Sequence, residues 1–182
     1  MIEVTATRLD GLLVVQPERF DDRRGFLVET FNARELEAVG IEDRWVQANH
    51  SRSMRNVLRG LHHQLSPLQG KLVRCSYGTI FDVAVDLRRS SPTFADWFGI
   101  ELDDRLHRQL WIPAGFGHGF LVLSDEADVE YRLTDYFDPA GGHAIAWDDP
   151  TVGVDWPLAG AEPILSARDA AAPRLQDVEV FD

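Results

Sequence analysis

Short apolar runs recur along the chain between turn signals, and their period is mostly two. LLVV, GFLVETF, WVQANHS, KLVRC, TIFDVAVDL, WFGIEL, QLWIP, GFLVLS and VEYRLTDYF are punctuated by SPLQG, SYG, SSPT, PAGFG and DPAGG. Many short strands at such spacing predict an all-β chain, an antiparallel sandwich or barrel. One helix is predicted: Asn32 as N-cap, ARELEAV as body, and Gly40 as the stop. The tail from about Ala159, rich in Ala and Pro, is expected to wrap the outside, with LSARD as a short turn. No repeat, low-complexity stretch or linker interrupts residues 1–182, which read as one β-domain.

Alternation also sorts the polar residues. In VQANHS, Gln47 and Asn49 share a face. In VEYRLTDYF, Val129, Tyr131, Leu133 and Phe137 share one face, while Arg132 and Tyr136 point the other way. A regular strand through LRGLHHQ would send His62 and His63 to opposite faces and part Arg59 from His62. Gly60, lying between Arg59 and His62, is a candidate bulge that re-aims the chain.

Composition narrows the function. The hydrophobic fraction of 45% over 182 residues suits a domain with a real core. The net charge is −12 with no basic stripe, which argues against nucleic acid but not against one small anion held by a few arginines. No apolar run approaches a membrane span, and MIEVTATRLDG carries no visible signal peptide, so the expected compartment is the cytoplasm. The single cysteine, Cys75, excludes an internal disulfide and sits in a strand-like run that suits inert packing. Lys71 is the only lysine beside 17 arginines. A compact ammonium with an adjustable pKa does what a guanidinium cannot.

The segment PAGFGH, Pro113 to His118, matches the P-x-G-x-x-H pattern of the cupin superfamily, in which that histidine often binds a metal. A divalent metal wants three or four convergent donors. Here the partner segment is His62-His63-Gln64, whose adjacent histidines diverge, so no metal is expected. What remains is a set of acid–base groups: His62, Lys71, Asp82, His118, Tyr131 and Asp169. With no nucleophile motif, proton abstraction is their simplest use. Taken singly, each suits a structural role as well: a bonded histidine, a core tyrosine, a capping aspartate.

The ordered segments DRRGFLVETF, QANHS, VLRGLHHQ, QGKLVRC, IPAGFGHGFLVLSD, VEYRLTDYF, DDPTVGVDWP and LSARDAAAP resemble the dTDP-4-dehydrorhamnose 3,5-epimerase family over about residues 20–175. That resemblance implies a metal-free cupin jelly roll (a double-stranded β-helix), usually a homodimer, with no cofactor. It implies inversion of the carbons beside the ketone of a dTDP-linked 4-keto-6-deoxyhexose. His62 resembles the base, Asp169 its orienting carboxylate, Tyr131 the acid of the opposite face and Lys71 the enolate stabiliser. His118 lies where the family contacts substrate. Arg24, Glu29, Gln47, Asn49, Arg59 and Arg168 match nucleotide and diphosphate contacts, Arg24 and Glu29 commonly coming from the neighbouring subunit.

Two positions depart from that pattern. Phe137 stands where the family has a second tyrosine; it keeps a ring that can stack on the base but has no hydroxyl. Gly142 stands where the family has a glutamate. Two alternatives follow: a 3-epimerase that inverts one centre, and a non-catalytic sugar-nucleotide-binding cupin.

Overall fold

Period-two alternation gives each strand an apolar face, and two antiparallel sheets close over those faces. The computed structural model describes residues 1–41 and 44–182. Along the chain run β1 (Ile2–Ala6), β2 (Leu13–Pro17), β3 (Arg19–Asp22), β4 (Gly25–Val28), α1 (Ala33–Ala38), β5 (Gln47–Met54), β6 (Leu58–Gln64) and β7 (Lys71–Tyr77). There follow β8 (Thr79–Asp86), β9 (Trp97–Asp103), β10 (Gln109–Ile112), β11 (Phe116–Val122), β12 (Glu126–Leu133), β13 (Gly142–Ala144) and α2 (Ala167–Ala170). One sheet has the order β1-β2-β10-β7-β12-β5 and the other β13-β6-β11-β8-β9, while β3 and β4 form a separate hairpin. This is the all-β jelly roll that the sequence led us to expect.

Between the sheets, Val73, Cys75, Leu110 and Val129 meet Ile80, Ala84, Phe120 and Val122 in one apolar cluster. The opposite face of the five-stranded sheet is not left to water. Val83, Val85 and Leu121 pack beneath Ile145, Val152, Trp156, Leu175 and Val180, so the C-terminal third covers that face. On the other side, Leu36 of α1 packs on Val15, Leu72 and Trp111. The helix begins as its sequence dictates, with the Asn32 side chain accepting from the amides of Arg34 and Glu35, and Gly40 follows it at φ +87°. No helix among the described residues is long and apolar enough to cross a membrane.

Some expected boundaries shift. GFLVETF keeps only Gly25–Val28 as a strand, paired with β3 away from both main sheets. The strand through Tyr131 ends at Leu133, where the Thr134 hydroxyl takes the Gly70 amide and turns the chain. Cys75 is fully buried, and burial pushes its thiol up to about 12, leaving negligible thiolate at neutral pH.

The bulge at Gly60 is present. His118 pairs with His62 and Phe120 with Arg59, so three steps on β6 oppose two on β11. The extra residue cancels one alternation and puts Arg59 and His62 on the same cavity wall. Gly60 has φ +140°, and a Cβ there would lie 2.5 Å from the Gly119 Cα. Gly25 also has positive φ, +125°, but a Cβ there would meet nothing. Gly60→Ala should therefore cost about 2–5 kcal/mol, backbone strain plus overpacking, against about 1–2 for Gly25→Ala. Urea denaturation of both variants checks this; equal losses would refute the close-packing argument.

Candidate active site

At one end of the sandwich the inward positions change from apolar to polar, and the interior opens into a cavity of about 440 Å³. That volume suits a ligand of drug size. From the six-stranded sheet come Gln47, Asn49 and Ser51 of β5, Lys71 of β7, and Tyr131 and Leu133 of β12. From the five-stranded sheet come Arg59 and His62 of β6 and His118 and Phe120 of β11. Phe137, Gly142, His143 and Arg168 surround the mouth. The shared face expected for Gln47 and Asn49 is real, and the Gln47 amide donates to Asn49 Oδ1 at 3.0 Å. Phe137 lies beyond the strand end yet lines the cavity as expected, its amide held by Gln47 Oε1 at 3.0 Å.

His62 and Asp169 meet across 107 residues of sequence, with Nε2 2.6 Å from Oδ1. Asp169 belongs to α2, where Ser166 caps the helix by accepting the Asp169 amide. Burial alone would raise the Asp169 carboxyl, but the bond and charge of His62, the Ser166 cap and nearby Arg168 together hold it below the ordinary range. An ionised carboxylate only accepts, so His62 Nε2 donates, and Nδ1 is the nitrogen that carries the lone pair whenever the ring is neutral. His63 turns the other way, its Nε2 donating to the Glu179 carbonyl while its ring stacks on His143 and reaches the cavity rim.

Lys71 is partly buried, with Nζ 3.4 Å from the His62 carbonyl. Lost hydration pushes its ammonium down to about 8, against the pull of Asp82. Deeper in, His118 Nε2 lies 2.8 Å from Asp82 Oδ1. Among the described residues, no three His, Cys, Asp or Glu side chains converge as metal ligands would.

Two guanidiniums stand at the mouth. Arg59 is held by Ser53 Oγ at 3.1 Å and Arg168 by the Gly142 carbonyl at 3.0 Å. A unit charge pair at 4 Å near a protein surface is worth about 4 kcal/mol, whereas charges beyond about 8 Å are largely screened. These two arginines therefore outweigh the diffuse net charge of −12 at the place where an anion would bind.

A model of the dTDP-4-dehydrorhamnose 3,5-epimerase family matches residues 6–177. The chain belongs to that family. The dTDP-4-dehydrorhamnose 3,5-epimerase of Salmonella typhimurium is 48% identical over 177 residues, covering 96% of each chain. That of Pseudomonas aeruginosa is 47% identical over 181 residues, covering 99% of each. A crystal structure of dTDP-6-deoxy-D-glucose-3,5-epimerase from Legionella pneumophila Philadelphia 1, in complex with dTDP-4-keto-L-rhamnose, superposes with a TM-score of 0.95 at 47% identity. It covers 98% of this chain and 95% of that one.

Within this member of the epimerase family, the expected site residues fall in three places. Gln47, Asn49, Arg59, His62, Lys71, His118, Tyr131, Phe137 and Arg168 line the cavity, and Asp169 lies directly behind His62. Arg24 and Glu29 do not join them. Arg24 is exposed in the β3–β4 turn, paired with Asp22, and Glu29 accepts from Asn32 Nδ2. Five lining residues, Ser51, Gln64, Gln69, Phe120 and His143, escaped the sequence reading. Ser51 was legible in principle, two positions past Asn49 on the same face, but Gln64 and Gln69 gave no signal.

As the sole lysine, Lys71 can be titrated directly. Reductive ¹³C-methylation should yield one lysine resonance with a midpoint near 8 in the folded protein. A midpoint at the ordinary 10.5 would show that burial does not depress the ammonium.

Proposed function

We propose that this protein inverts C3 and C5 of a dTDP-linked 4-keto-6-deoxyhexose by proton abstraction and return beside the ketone. The observation that carries the mechanism is the division of acid–base groups between facing walls. His62, oriented by Asp169, stands on the five-stranded sheet, and Tyr131 stands on the six-stranded sheet. Packed sheets lie about 10 Å apart, which accommodates a sugar ring with one group on each side. Inversion requires just that placement.

His62 Nδ1 takes the proton, and the C–H electron pair becomes the C=C bond of an enolate whose charge rests on the former keto oxygen. The Lys71 ammonium favours that oxyanion over the neutral ketone, a contribution on the order of 10²–10³ in rate. Tyr131 then gives its phenolic proton to the opposite face of the carbon, and a positioned acid or base supplies roughly 10²–10⁴. His62 and Tyr131 return to their starting states by exchange with solvent. Arg59 and Arg168 hold the diphosphate, Gln47 and Asn49 orient the nucleotide, His118 contacts the sugar, and the Phe137 ring stacks on the base.

Arg24 and Glu29 serve the neighbouring site of a homodimer. Supporting this, the β3–β4 hairpin that carries Arg24 exposes Phe20, Phe26 and Leu27 to more than half of their surface or close to it, at 52%, 50% and 70%. The protein acts as a single domain in the cytoplasm, with no metal or cofactor in the chemistry. A 3-only epimerase is the second reading. It draws on Phe137, which has no hydroxyl to tether it, and on Gly142, whose missing side chain leaves the ring 3.2 Å from where a Cβ would be.

Proton NMR of the 4-keto sugar nucleotide in D₂O tests the function. Both protons should exchange, C3 before C5, with activity indifferent to EDTA; no exchange at either carbon would leave only a sugar-nucleotide binder. His62→Ala should abolish exchange. Tyr131→Phe should retain exchange on one face while inversion falls at least 10²-fold, and equal loss of both would show that Tyr131 is not simply the acid.

A further inference from the structure

A second histidine–aspartate pair lies beside the first. His62 and His118 are directly opposite in the β6–β11 register, and each turns Nε2 to a carboxylate. Their surroundings differ. Asp169 comes from the tail and lies buried behind His62, which itself stays half-buried at the cavity. Asp82 has no exposure at all and His118 only 6%.

Asp82 is placed where an apolar residue would be cheaper. Its neighbours on the inward face of β8, Ile80 and Ala84, belong to the apolar core. One of its oxygens, Oδ2, is buried and makes no hydrogen bond. An unmet buried acceptor costs about 1–3 kcal/mol, and more if charged. Packing therefore gives no reason for a carboxylate here, and the reason has to lie in what it does to its neighbours. Those are His118, which it touches, and Lys71, on whose charge it acts.

We propose that Asp82 is a positioning residue of the epimerisation site: it accepts the Nε2–H of His118, so that the Nδ1 lone pair is offered to the cavity, and its second oxygen is the fixed counter-charge of Lys71. The cavity then presents the sugar with two unlike partners. Lys71 donates and takes the keto oxygen; His118 accepts and takes a hydroxyl. A 4-keto sugar carries both groups, so this pair sets which way the ring lies between His62 and Tyr131. This inference rests on the epimerase reading above.

The surrounding groups agree with a neutral His118. Burial lowers its pKa, Asp82 raises it, and Lys71 and His62 lower it again, leaving it below the ordinary value. Around Lys71 stand His62 and His63 from β6, Asp82 from β8, His118 from β11 and Tyr131 from β12; Asp82 is the carboxylate among them. Removing its charge must move the lysine further down.

The test uses the full chain with Asp82→Asn, which keeps size and removes charge. With ¹⁵N-labelled histidine, the signal lost in His118→Gln identifies His118, and wild type at pH 7 should show Nε2 protonated and Nδ1 bare. Asp82→Asn should mix the tautomers, lower the Lys71 midpoint below about 8, and move the basic limb of kcat to lower pH. Its kcat should fall roughly 10–100-fold with dTDP affinity within about twofold, because the arginines at the mouth are untouched. A wild-type His118 protonated on Nδ1 overturns the proposal, and that measurement stands even if the variant does not fold. So does a folded Asp82→Asn with wild-type kcat and an unmoved basic limb. The tautomer and the lysine titration need no substrate, so they judge Asp82 independently of whether sugar protons exchange.

Discussion

Two sheets about 10 Å apart leave a gap that has to be filled or opened to water, and the rest of this structure depends on where the filling stops. Along β7 the inward side chains run Lys71, Val73, Cys75; along β12 they run Ala127, Val129, Tyr131. On β11 the sequence is Val122, Phe120, His118. On β7 and β12 one end belongs to the core and the other to the cavity, while on β11 His118 faces the cavity between the core residues Phe116 and Phe120. Groups such as Lys71, His62 and Tyr131 could not be buried together without water or a ligand to satisfy them. The cavity is open because its lining forbids collapse, while the apolar end holds the walls apart, with His62 on one and Tyr131 on the other.

The tail that follows β13 is part of the same construction. By covering Val83, Val85 and Leu121 it removes the outer face of the five-stranded sheet from water, and the same course carries α2 to the back of His62. Asp169 is thereby delivered as a buried carboxylate that needs a donor, and His62 supplies it at 2.6 Å. Packing energy spread over many apolar contacts thus fixes one hydrogen bond, and that bond makes Nε2 the donor nitrogen of His62. The two arginines at the mouth are tethered in a similar way, by Ser53 and the Gly142 carbonyl, so they act as fixed local charges in an acidic chain.

Much of this was legible in the residues. Period-two alternation and turn chemistry announced the strands, the Asn32 cap and Gly40 announced the helix, and same-face reasoning grouped Gln47 with Asn49 and Tyr131 with Leu133. Gly60 marked its bulge because only glycine tolerates that φ with Gly119 pressed against it. These are local properties, set by the sterics of a few consecutive residues. Strand β4 was read as the longer run GFLVETF and its partner β3 was not foreseen, because alternation reports a strand but not which sheet or neighbour receives it.

What alternation could not reach was partnership across the chain. A sequence shows that His62, His118, Asp82 and Asp169 exist; it does not show that Asp169 crosses 107 residues to His62, or that Asp82 leaves one oxygen bare in the core. It does not show that Arg24 lies outside the cavity formed by its own chain. The chain by itself determined its strands, its helix cap, its bulge and the stock of acid–base groups, since each follows from neighbours a few residues apart. The tertiary structure alone decided which carboxylate meets which imidazole and how dry each pair is, because those depend on sheet order and burial, which are properties of distant segments brought together.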